Sequence, residues 1–283
     1  MPFPTALTIA GSDSGGGAGL QADLKTFEAH GVFGMSVVTA LTAQNTRGVA
    51  AVHDVPAAFV AAQIDAVAAD LPVGAVKTGM LASAEVVEAV ADGIARWRLG
   101  PVVVDPVMVA TSGDLLLRPD AVAALVARLL PLADLATPNA HEAAVLAGFD
   151  VRTLADARRA AAAILALGPR AVLVKGGHLD SLPRSSGAGA DAVDVLLTAD
   201  GTETLLRNPR LATTSTHGTG CTLASAVAAN LARGLDLAEA VRRARAYLQQ
   251  AIWHAPGLGG GHGPTRHFWF LTGDEAAGEA AGE

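Results

Sequence analysis

The chain has 283 residues and a net charge of −7, and 51% of its residues are hydrophobic although only 4% are aromatic. Such a chain can bury a large aliphatic core, and a single α/β domain of this size is ordinary. The acidic balance argues against a general nucleic-acid-binding protein, which needs a basic face, but it leaves phosphate ligands open, because backbone amides at helix starts bind phosphate whatever the total charge.

The N-terminal segment reaches the first predicted strand, Ala6–Ala10, without a basic region, and a turn rich in Ser, Asp and Gly follows. These features predict that there is no signal peptide. Nowhere do about 18 apolar residues run without charged or turn residues, so we expect no transmembrane helix and a cytoplasmic protein.

Short apolar runs alternate with Ala-rich segments up to residue 175. The predicted strands are Ala6–Ala10, Ser36–Leu41, Gly74–Lys77, Val102–Asp105, Leu135–Thr137 and Ala171–Lys175. The predicted helices are Gly19–His30, Ala57–Ala69, Ala84–Arg98, Pro119–Leu130 and Leu154–Leu167. Unbroken apolar strands are typical of parallel sheets that are covered on both faces. The alternation therefore predicts an open, doubly wound or three-layer α/β fold, without fixing the strand order.

The C-terminal part departs from this alternation. Asp191–Leu206 predicts a hairpin that turns at Ala199-Asp200-Gly201. Two consecutive helices follow, Thr219–Arg233 and Asp236–His254, and Gly234 is suited to cap the first of them.

Two segments are predicted to lack regular structure. Pro183–Ala190 is rich in Pro, Ser and Gly and predicts a mobile loop, and residues 271–283 predict a flexible acidic tail rich in Gly and Ala. No linker is long enough to divide the chain, so we expect one domain over residues 1–270.

The strongest local signal is the segment Ser215–Ala226, in which Gly218, Thr219 and Gly220 lead into an apolar helix that has Cys221 in its first turn. The first amides of a helix have no intrahelical partner, and with the helix dipole they form an anion hole suited to a phosphoryl group. In that field the pKa of a thiol falls, which predicts a thiolate near neutral pH. The alternative is a Gly-rich helix start that buries a small cysteine.

The N-terminal run Ala10–Phe27 joins a strand to a helix through five glycines. It lacks the Gly-Lys-Ser/Thr ending of a P-loop and the complete GxGxxG pattern of dinucleotide-binding proteins. A turn that exposes its backbone to a flat ligand and a merely flexible turn both remain open.

The segment Thr137–Ala143 places Asn139 and Glu142 on one face at the start of a predicted helix. Their oxygens suit Mg²⁺, which keeps most of its waters and needs few protein ligands. A helix-capping pair is the simpler interpretation of the two residues by themselves.

Two charged residues end predicted strands at the edge where α/β sheets bind ligands. Lys175 precedes two glycines and can reach a phosphate, unless it is a salt-bridged surface lysine. Asp105 precedes a proline, and a turn-forming role is an equal alternative for it.

The order and spacing of eight motifs carry more information than any one of them. They are AGSDSGGGAGLQADLKTF (Ala10–Phe27), TALTAQNT (Thr39–Thr46), KTGML (Lys77–Leu81), VDPVMVATSGD (Val104–Asp114), TPNAHEA, VKGGH, STHGTGCTLASA and GHGPTRH (Gly261–His267). Over residues 5–270 this arrangement closely resembles the hydroxymethylpyrimidine/phosphomethylpyrimidine kinases of thiamine biosynthesis, in the ribokinase-like superfamily. The resemblance leaves the tail and Pro183–Ala190 unexplained.

The resemblance implies a three-layer αβα ribokinase-like fold with a mostly parallel central sheet, and a homodimer. It implies that the γ-phosphate of ATP is transferred to the alcohol of 4-amino-5-hydroxymethyl-2-methylpyrimidine, and that the monophosphate is phosphorylated again to the pyrophosphate. It further implies Mg²⁺ as a cofactor.

The resemblance also implies roles for particular residues of this sequence. Those at the aminopyrimidine are Gln44 and Asp23, and those around its ring are Gly11, Ala18 and Met80. At the reacting groups it implies Cys221 as the base, beside an anion hole formed by Gly218, Thr219 and Gly220. It implies that Asn139, Glu142 and Asp105 lie at Mg²⁺, and that Lys175 lies near the ATP phosphates.

Other functions compete with this one. A pyridoxal kinase of the same superfamily also acts on a hydroxymethyl group of a six-membered nitrogen ring. Some kinases of this subgroup that handle pyridoxal carry a second cysteine after the DPVM motif, whereas this chain has Ala110 there and only one cysteine, Cys221. A non-catalytic pyrimidine-binding protein would not need the anion-hole glycines and Cys221 together with Asn139 and Glu142. A nucleotide-dependent dehydrogenase is excluded by the incomplete GxGxxG pattern.

Overall fold

The computed structural model describes residues 3–109, 118–179, 182–184 and 187–271, and within them ten strands form one sheet. The strands are β1 (Thr5–Asp13), β2 (Phe33–Asn45), β3 (Gly48–Asp54), β4 (Val76–Thr78), β5 (Val102–Val104), β6 (Leu135–Ala136), β7 (Ala171–Val174), β8 (Leu182–Arg184), β9 (Gly187–Thr198) and β10 (Glu203–Pro209). The α-helices are α1 (Gly19–Ala29), α2 (Ala57–Ala68), α3 (Ala84–Trp97), α4 (Pro119–Ala124), α5 (Ala140–Ala147), α6 (Leu154–Leu165), α7 (Thr219–Ala232) and α8 (Leu237–Trp253). A π-helical turn, Leu125–Leu129, continues α4.

The central part of the sheet is parallel. The strand order is β10-β9-β7-β6-β5-β4-β1-β2-β3, and β8 pairs with β9 outside this path. Every pair from β2 through β1, β4, β5 and β6 to β7 is parallel, whereas β3, β8, β9 and β10 pair antiparallel. The chain adds β2 on one side of β1 and β4 on the other, so the direction of winding reverses at β1. In open α/β sheets, ligands bind at the carboxyl ends of the strands beside such a reversal.

Alternate residues of the strands pack on opposite faces of the sheet. On β5, Val102 and Val104 pack in the core with α2, α3 and α4, whereas Val103 packs with α1, α7 and α8. On β7, Val172 and Val174 pack with α5 and α6. The sheet is therefore the middle of three layers, which confirms the predicted architecture. Within the described ranges, no helix combines the length and apolar character needed to span a bilayer.

The helices differ in whether a side chain caps the amides of their first turn. Ser83, Thr153 and Asp236 cap α3, α6 and α8, each accepting a hydrogen bond from a first-turn amide. In contrast, α1 and α7 follow Ala18 and Gly218, neither of which provides a side-chain cap. No side chain of the preceding residue therefore caps the first turn of α1 or α7.

The predicted strands and helices are present, with ends shifted by a few residues. The predicted loop at Pro183–Ala190 is wrong, because β8 ends at Arg184, β9 begins at Gly187, and the two strands pair antiparallel. Pro, Ser and Gly concealed this pairing, since they give no apolar alternation. Gly234 follows α7 with φ of 85°, as its predicted capping role requires. Ala110 lies outside the described residues, and so does the tail beyond Leu271.

Candidate active site

The carboxyl ends of the parallel strands border one cavity with a volume of about 560 Å³. Asp105 follows β5 and Lys175 follows β7, and the first turn of α7 brings Cys221 to the same space. Gln44, near the end of β2, lines this cavity as well. The residue predicted to bind the pyrimidine and the residue predicted to act as base therefore share one cavity.

The predicted site residues come together here with one exception. Those that line the cavity are Gly11, Ala18, Gln44, Met80, Asp105, Asn139, Glu142, Lys175, Gly218, Thr219, Gly220 and Cys221. The exception is Asp23, which lies behind the cavity wall and is fully buried.

Asp23 is saturated with hydrogen bonds. Lys77 donates to both of its carboxylate oxygens at 2.9 and 2.8 Å, and the hydroxyls of Thr8 and Ser225 donate at 2.6 Å each. The prediction that Asp23 lies at the pyrimidine is therefore wrong, because α1 turns its carboxylate into the core. Its role is to hold Lys77, which does line the cavity. Burial alone would lower the pKa of Lys77, but Asp23 outweighs it and raises that pKa, so the ammonium stays charged.

The start of α7 has the backbone geometry of an anion hole. Gly218 lies just before the helix with φ of 75°, which favours glycine. A Cβ on Gly218 would also lie 1.9 Å from the carbonyl oxygen of Gly17, so a larger residue would displace the neighbouring loop. The amide of Thr219 donates to the carbonyl of Thr216 at 3.3 Å. Gly220 and Cys221 follow in the first turn at the cavity wall, where a phosphoryl group can accept from their amides.

The predicted thiolate at Cys221 is wrong for the site without ligands. Burial above all, together with the carboxylates of Asp23 and Asp105, raises the pKa of this thiol to about 11 against the opposing effect of Lys77. The amide of Gly19 also donates a hydrogen bond to the sulfur and favours the thiolate. Together these charges and the burial outweigh the helix start, so that Cys221 is a thiol at neutral pH.

Asn139 and Glu142 form the capping pair that their spacing predicted. Oδ1 of Asn139 accepts from the Glu142 amide at 2.9 Å, and Oε2 of Glu142 accepts from the Asn139 amide at 2.7 Å. Both residues nevertheless line the cavity, because the start of α5 lies at the carboxyl edge of β6. Capping and ligand binding are thus compatible here.

Lys175 joins two acidic groups at this edge. Its Nζ lies 2.8 Å from Oδ1 of Asp105 and 3.8 Å from Oε2 of Glu142. Burial alone would lower the pKa of Lys175, but both carboxylates raise it. A Cβ on Gly220 would lie 3.2 Å from Nζ, so the ammonium is beside the anion hole.

Glu142 has the most unusual acidity of this group. Its pKa is raised to about 7, because burial and the nearby Asp105 outweigh the lowering effect of Lys175. Within the described ranges, no three His, Cys, Asp or Glu side chains are grouped to hold a metal. Two carboxylates with excess negative charge nevertheless fit Mg²⁺, which needs few protein ligands when a phosphate supplies others.

The other end of the cavity suits a flat polar ring. The hydroxyl of Thr42 lies 3.1 Å from Oε1 of Gln44, and Ser14 exchanges hydrogen bonds with the Gln44 backbone at 2.8 Å. A Cβ on Gly11 would lie 3.2 Å from Sδ of Met80, so glycine is needed beside this methionine. These contacts fix the Gln44 backbone and hold its Oε1 beside the Thr42 hydroxyl at the cavity wall.

A third part of the cavity extends along β9, β10 and α8. Its apolar walls come from Ala192, Pro209, Leu211, Leu248 and Ile252. A buried ion pair closes it, in which Arg245 donates to Asp194 at 2.8 Å while the Gly176 amide donates to the same carboxylate at 2.7 Å.

Sequence reasoning missed several residues of this site. Asp13, Lys77 and His217 line the cavity, and all three lie inside motifs that had been recognised. No spacing rule distinguishes them, because their partners lie far along the chain. His217 contacts Asp13 at 2.8 Å across a separation of 204 residues.

Comparison with known protein families gives a clear match. The family model described as phosphomethylpyrimidine kinase matches residues 13–266. The hydroxymethylpyrimidine/phosphomethylpyrimidine kinase of Rhizobium meliloti is 56% identical over 268 residues, which cover 93% of this chain and 96% of that protein.

Solved structures of similar proteins have the same fold. Phosphomethylpyrimidine kinase from Clostridium difficile superposes with a TM-score of 0.76 and 43% identity, covering 88% of this chain and 99% of that one. Pyridoxal kinase from Bacillus subtilis in complex with ADP superposes with a TM-score of 0.84 and 38% identity, covering 94% of this chain and 97% of that one. These likenesses confirm the predicted ribokinase-like fold.

Proposed function

Because the chain belongs to the phosphomethylpyrimidine kinase family, we propose that it uses ATP to phosphorylate 4-amino-5-hydroxymethyl-2-methylpyrimidine and then the resulting monophosphate, in thiamine biosynthesis. The observation that carries this proposal is that Gln44 and Cys221 line one cavity beside an anion hole. Release of ADP from MgATP in the presence of the pyrimidine alcohol or of pyridoxal tests it. We expect kcat/KM for the pyrimidine to be at least about tenfold higher, because a site built to pair with an amine rejects a ligand without one.

Gln44 is proposed to recognise the aminopyrimidine edge. The exocyclic amine can donate to Oε1, and Nε2 can donate to the adjacent ring nitrogen, so the amide matches both groups at once. Gly11, Ala18 and Met80 would lie against the ring, which leaves the hydroxymethyl group pointing towards the start of α7.

The reacting phosphate is proposed to lie at the start of α7. Amides of Gly220 and Cys221 would donate hydrogen bonds to the oxygens on which negative charge develops, and Lys175 would neutralise part of that charge. Phosphoryl transfer depends mainly on such positioning and charge stabilisation. When bound, Mg²⁺ would neutralise negative charge on the phosphates and so lower their repulsion of the incoming hydroxyl. Asp105 and Glu142 are the side chains that would hold it, with Asn139 keeping Glu142 in place.

Cys221 is proposed to serve as the base in the first phosphorylation. As the hydroxymethyl oxygen bonds to the γ-phosphorus and the bond to ADP breaks, the sulfur in its ionised form accepts the proton of that hydroxyl. Asp105 helps to keep this pKa high in the empty site. A cation bound to Asp105 would cancel that effect and favour the thiolate.

The apolar part of the cavity is proposed to hold the adenine. Leu211, Leu248 and Ile252 offer the flat apolar surface that a purine requires, and the Asp194–Arg245 pair fixes the wall behind them. This position places the nucleotide phosphates towards Lys175. Two wider features are also part of the proposal: a homodimer, which the family resemblance implies, and a cytoplasmic location.

Gln44→Ala is expected to raise KM for the pyrimidine alcohol by about tenfold to a hundredfold, because a lost hydrogen-bonding pair leaves buried polar groups unpaired. KM for ATP should change little. Steady-state kinetics with each substrate varied in turn measures both values. Gln63→Ala is the matched control, since Gln63 bonds the backbone of Val38 and does not line the cavity. Equal losses for both substrates would contradict the assignment.

The requirement for Mg²⁺ is expected to depend on pH through Glu142. This carboxyl must lose its proton to bind a cation, and its pKa is raised to about 7. The Mg²⁺ concentration that gives half-maximal rate should therefore fall as the pH rises from about 6 to about 8. In Glu142→Gln it should be higher and largely independent of pH. The same pH dependence in wild type and variant would remove Glu142 from the metal site.

A further inference from the structure

Two glycine-rich loops meet at the cavity, and one buried carboxylate organises the first of them. In the loop between β1 and α1, Oδ1 of Asp13 accepts from the Gly15 amide at 2.8 Å, while Oδ2 accepts from the amides of Gly17 at 3.0 Å and Ala18 at 2.8 Å. These three bonds fold the loop around the carboxylate. The start of α1 is thereby placed at the pyrimidine end of the cavity.

The same carboxylate binds the second loop. Nε2 of His217, in the loop that leads into α7, lies 2.8 Å from Oδ2 of Asp13. The backbone of His217 is fixed in turn, because its amide donates to the carbonyl of Gly263 at 3.1 Å. Both side chains are buried, with exposed fractions of 2% for Asp13 and 8% for His217. Although burial would raise the pKa of Asp13, His217 and the loop amides lower it, so the carboxylate stays ionised.

Around this pair the two loops pack closely at two glycines. A Cβ on Gly17 would lie 2.5 Å from Cδ2 of the His217 ring, and a Cβ on Gly218 would lie 1.9 Å from the Gly17 oxygen. Just beyond these contacts, in the first turns of α1 and α7, the Gly19 amide donates to the sulfur of Cys221. A shift of either loop would therefore move the thiol relative to the start of α1.

We propose that the Asp13–His217 pair is a clamp that aligns the pyrimidine-binding loop with the phosphate-binding start of α7, which makes His217 a positioning residue for phosphoryl transfer. The proposal rests on the proposed function and adds residues to which no role has been assigned. Each loop binds its own substrate, so a broken clamp leaves both binding sites formed but misaligned. A misplacement of about 1 Å between reacting groups can cost about a hundredfold in rate.

His217→Ala tests the clamp, because a misaligned site should lower kcat much more than it changes either KM. We expect kcat for the pyrimidine alcohol to fall at least about tenfold, while KM for the pyrimidine and for ATP stay within about threefold. His217→Gln should recover part of kcat, because its side-chain N–H can still donate to Asp13. Gly17→Ala adds a methyl group against the His217 ring and should lower kcat in the same way. This variant tests the clamp independently in case His217→Ala folds poorly.

The matched control is His267→Gln. His267 is also a buried histidine that is hydrogen-bonded to α1, at 3.2 Å from the hydroxyl of Thr26, but it does not line the cavity. This variant should lower the melting temperature without changing kcat per folded molecule. If His217→Ala and Gly17→Ala change only the melting temperature, or raise both KM values in parallel with the fall in kcat, the clamp is refuted.

Alkylation of Cys221 by iodoacetamide gives a second readout that needs no turnover. Cys221 is the only cysteine, so its modification can be followed by mass spectrometry of the whole chain. We expect the alkylation rate at a fixed pH to change at least about threefold in His217→Ala and to return towards the wild-type rate in His217→Gln. An unchanged rate in His217→Ala and Gly17→Ala would overturn the clamp, even if the proposed kinase activity were found. A wild type without kinase activity would instead refute the proposed function and leave this readout valid.

Discussion

Cys221→Ala is expected to lower turnover of the pyrimidine alcohol at least about a hundredfold, since general-base assistance typically contributes about 10²–10⁴ in rate. Binding of the pyrimidine should stay largely intact, because the ring is proposed to bind at Gln44 and Met80, which also line the cavity. Single-turnover measurements with saturating MgATP separate the chemical step from binding.

The second phosphorylation provides an internal control for this variant. Its acceptor is a phosphate oxygen that is already ionised near neutral pH, because the second pKa of a phosphate monoester is about 6. No proton has to be removed, so Cys221→Ala should slow the second step much less than the first. Equal losses in both steps would indicate that Cys221 positions both acceptors and accepts no proton.

The pH dependence of the first step follows from the acidity of the thiol. Because burial raises the pKa of Cys221 to about 11, the ionised fraction is small at neutral pH and increases with pH. The wild-type rate of the first step should therefore increase between about pH 6 and pH 9, and the Cys221→Ala rate should not. Cys221→Ser keeps a hydroxyl that can hold the substrate but ionises even less readily. Near-wild-type turnover in Cys221→Ala or Cys221→Ser would remove Cys221 from the role of base.

Lys77→Met is expected to lower the free energy of unfolding by about 3–5 kcal/mol, because it leaves the buried carboxylate of Asp23 without its cation. Lys77 and Asp23 are 2.8 Å apart, and both side chains are 0% exposed. Two hydroxyl donors remain on Asp23, from Thr8 and Ser225, and they cannot neutralise its charge. Urea denaturation followed by circular dichroism measures the loss.

Two further variants separate the cost of an unpaired charge from the loss of an ion pair. Replacing both partners, Lys77→Met with Asp23→Leu, should recover much of the stability, because no buried charge remains. Arg128→Ala breaks the exposed pair with Asp92, whose side chains are 47% and 68% exposed, and should cost less than about 1 kcal/mol. Losses of similar size in Lys77→Met and Arg128→Ala would show that an unpaired charge at Asp23 does not carry the predicted cost of burial.

Much of the fold was predictable because its signals are local. Apolar strands such as β5 and the Ala-rich helices are specified by residues next to one another in the chain. The three-layer arrangement then follows from strand–helix alternation. Strand β3 was not predicted, because its burial pattern is exposed along most of its length. The pairing of β8 with β9 was missed because Pro and Gly suppress the usual strand pattern.

The site was predictable where a motif carries its own geometry, and less so where charges act through space. Asn139 and Glu142 show their capping geometry in the sequence, and Gly218 marks the start of α7. The orientation of Asp23 into the core is set by partners at positions 8, 77 and 225, which no local pattern reveals. The acidity of Cys221 was misjudged for the same reason, since burial and the carboxylates of Asp23 and Asp105 outweigh the helix start.

Phosphorus NMR of the products tests the central claim most directly. Purified protein with MgATP is offered the pyrimidine alcohol, its monophosphate and pyridoxal in parallel. We expect a phosphomonoester resonance from the alcohol, paired diphosphate resonances from the monophosphate, and at most a slow reaction with pyridoxal. Rapid phosphorylation of pyridoxal with no phosphorylated pyrimidine, or ATP hydrolysis to free phosphate alone, would contradict the account.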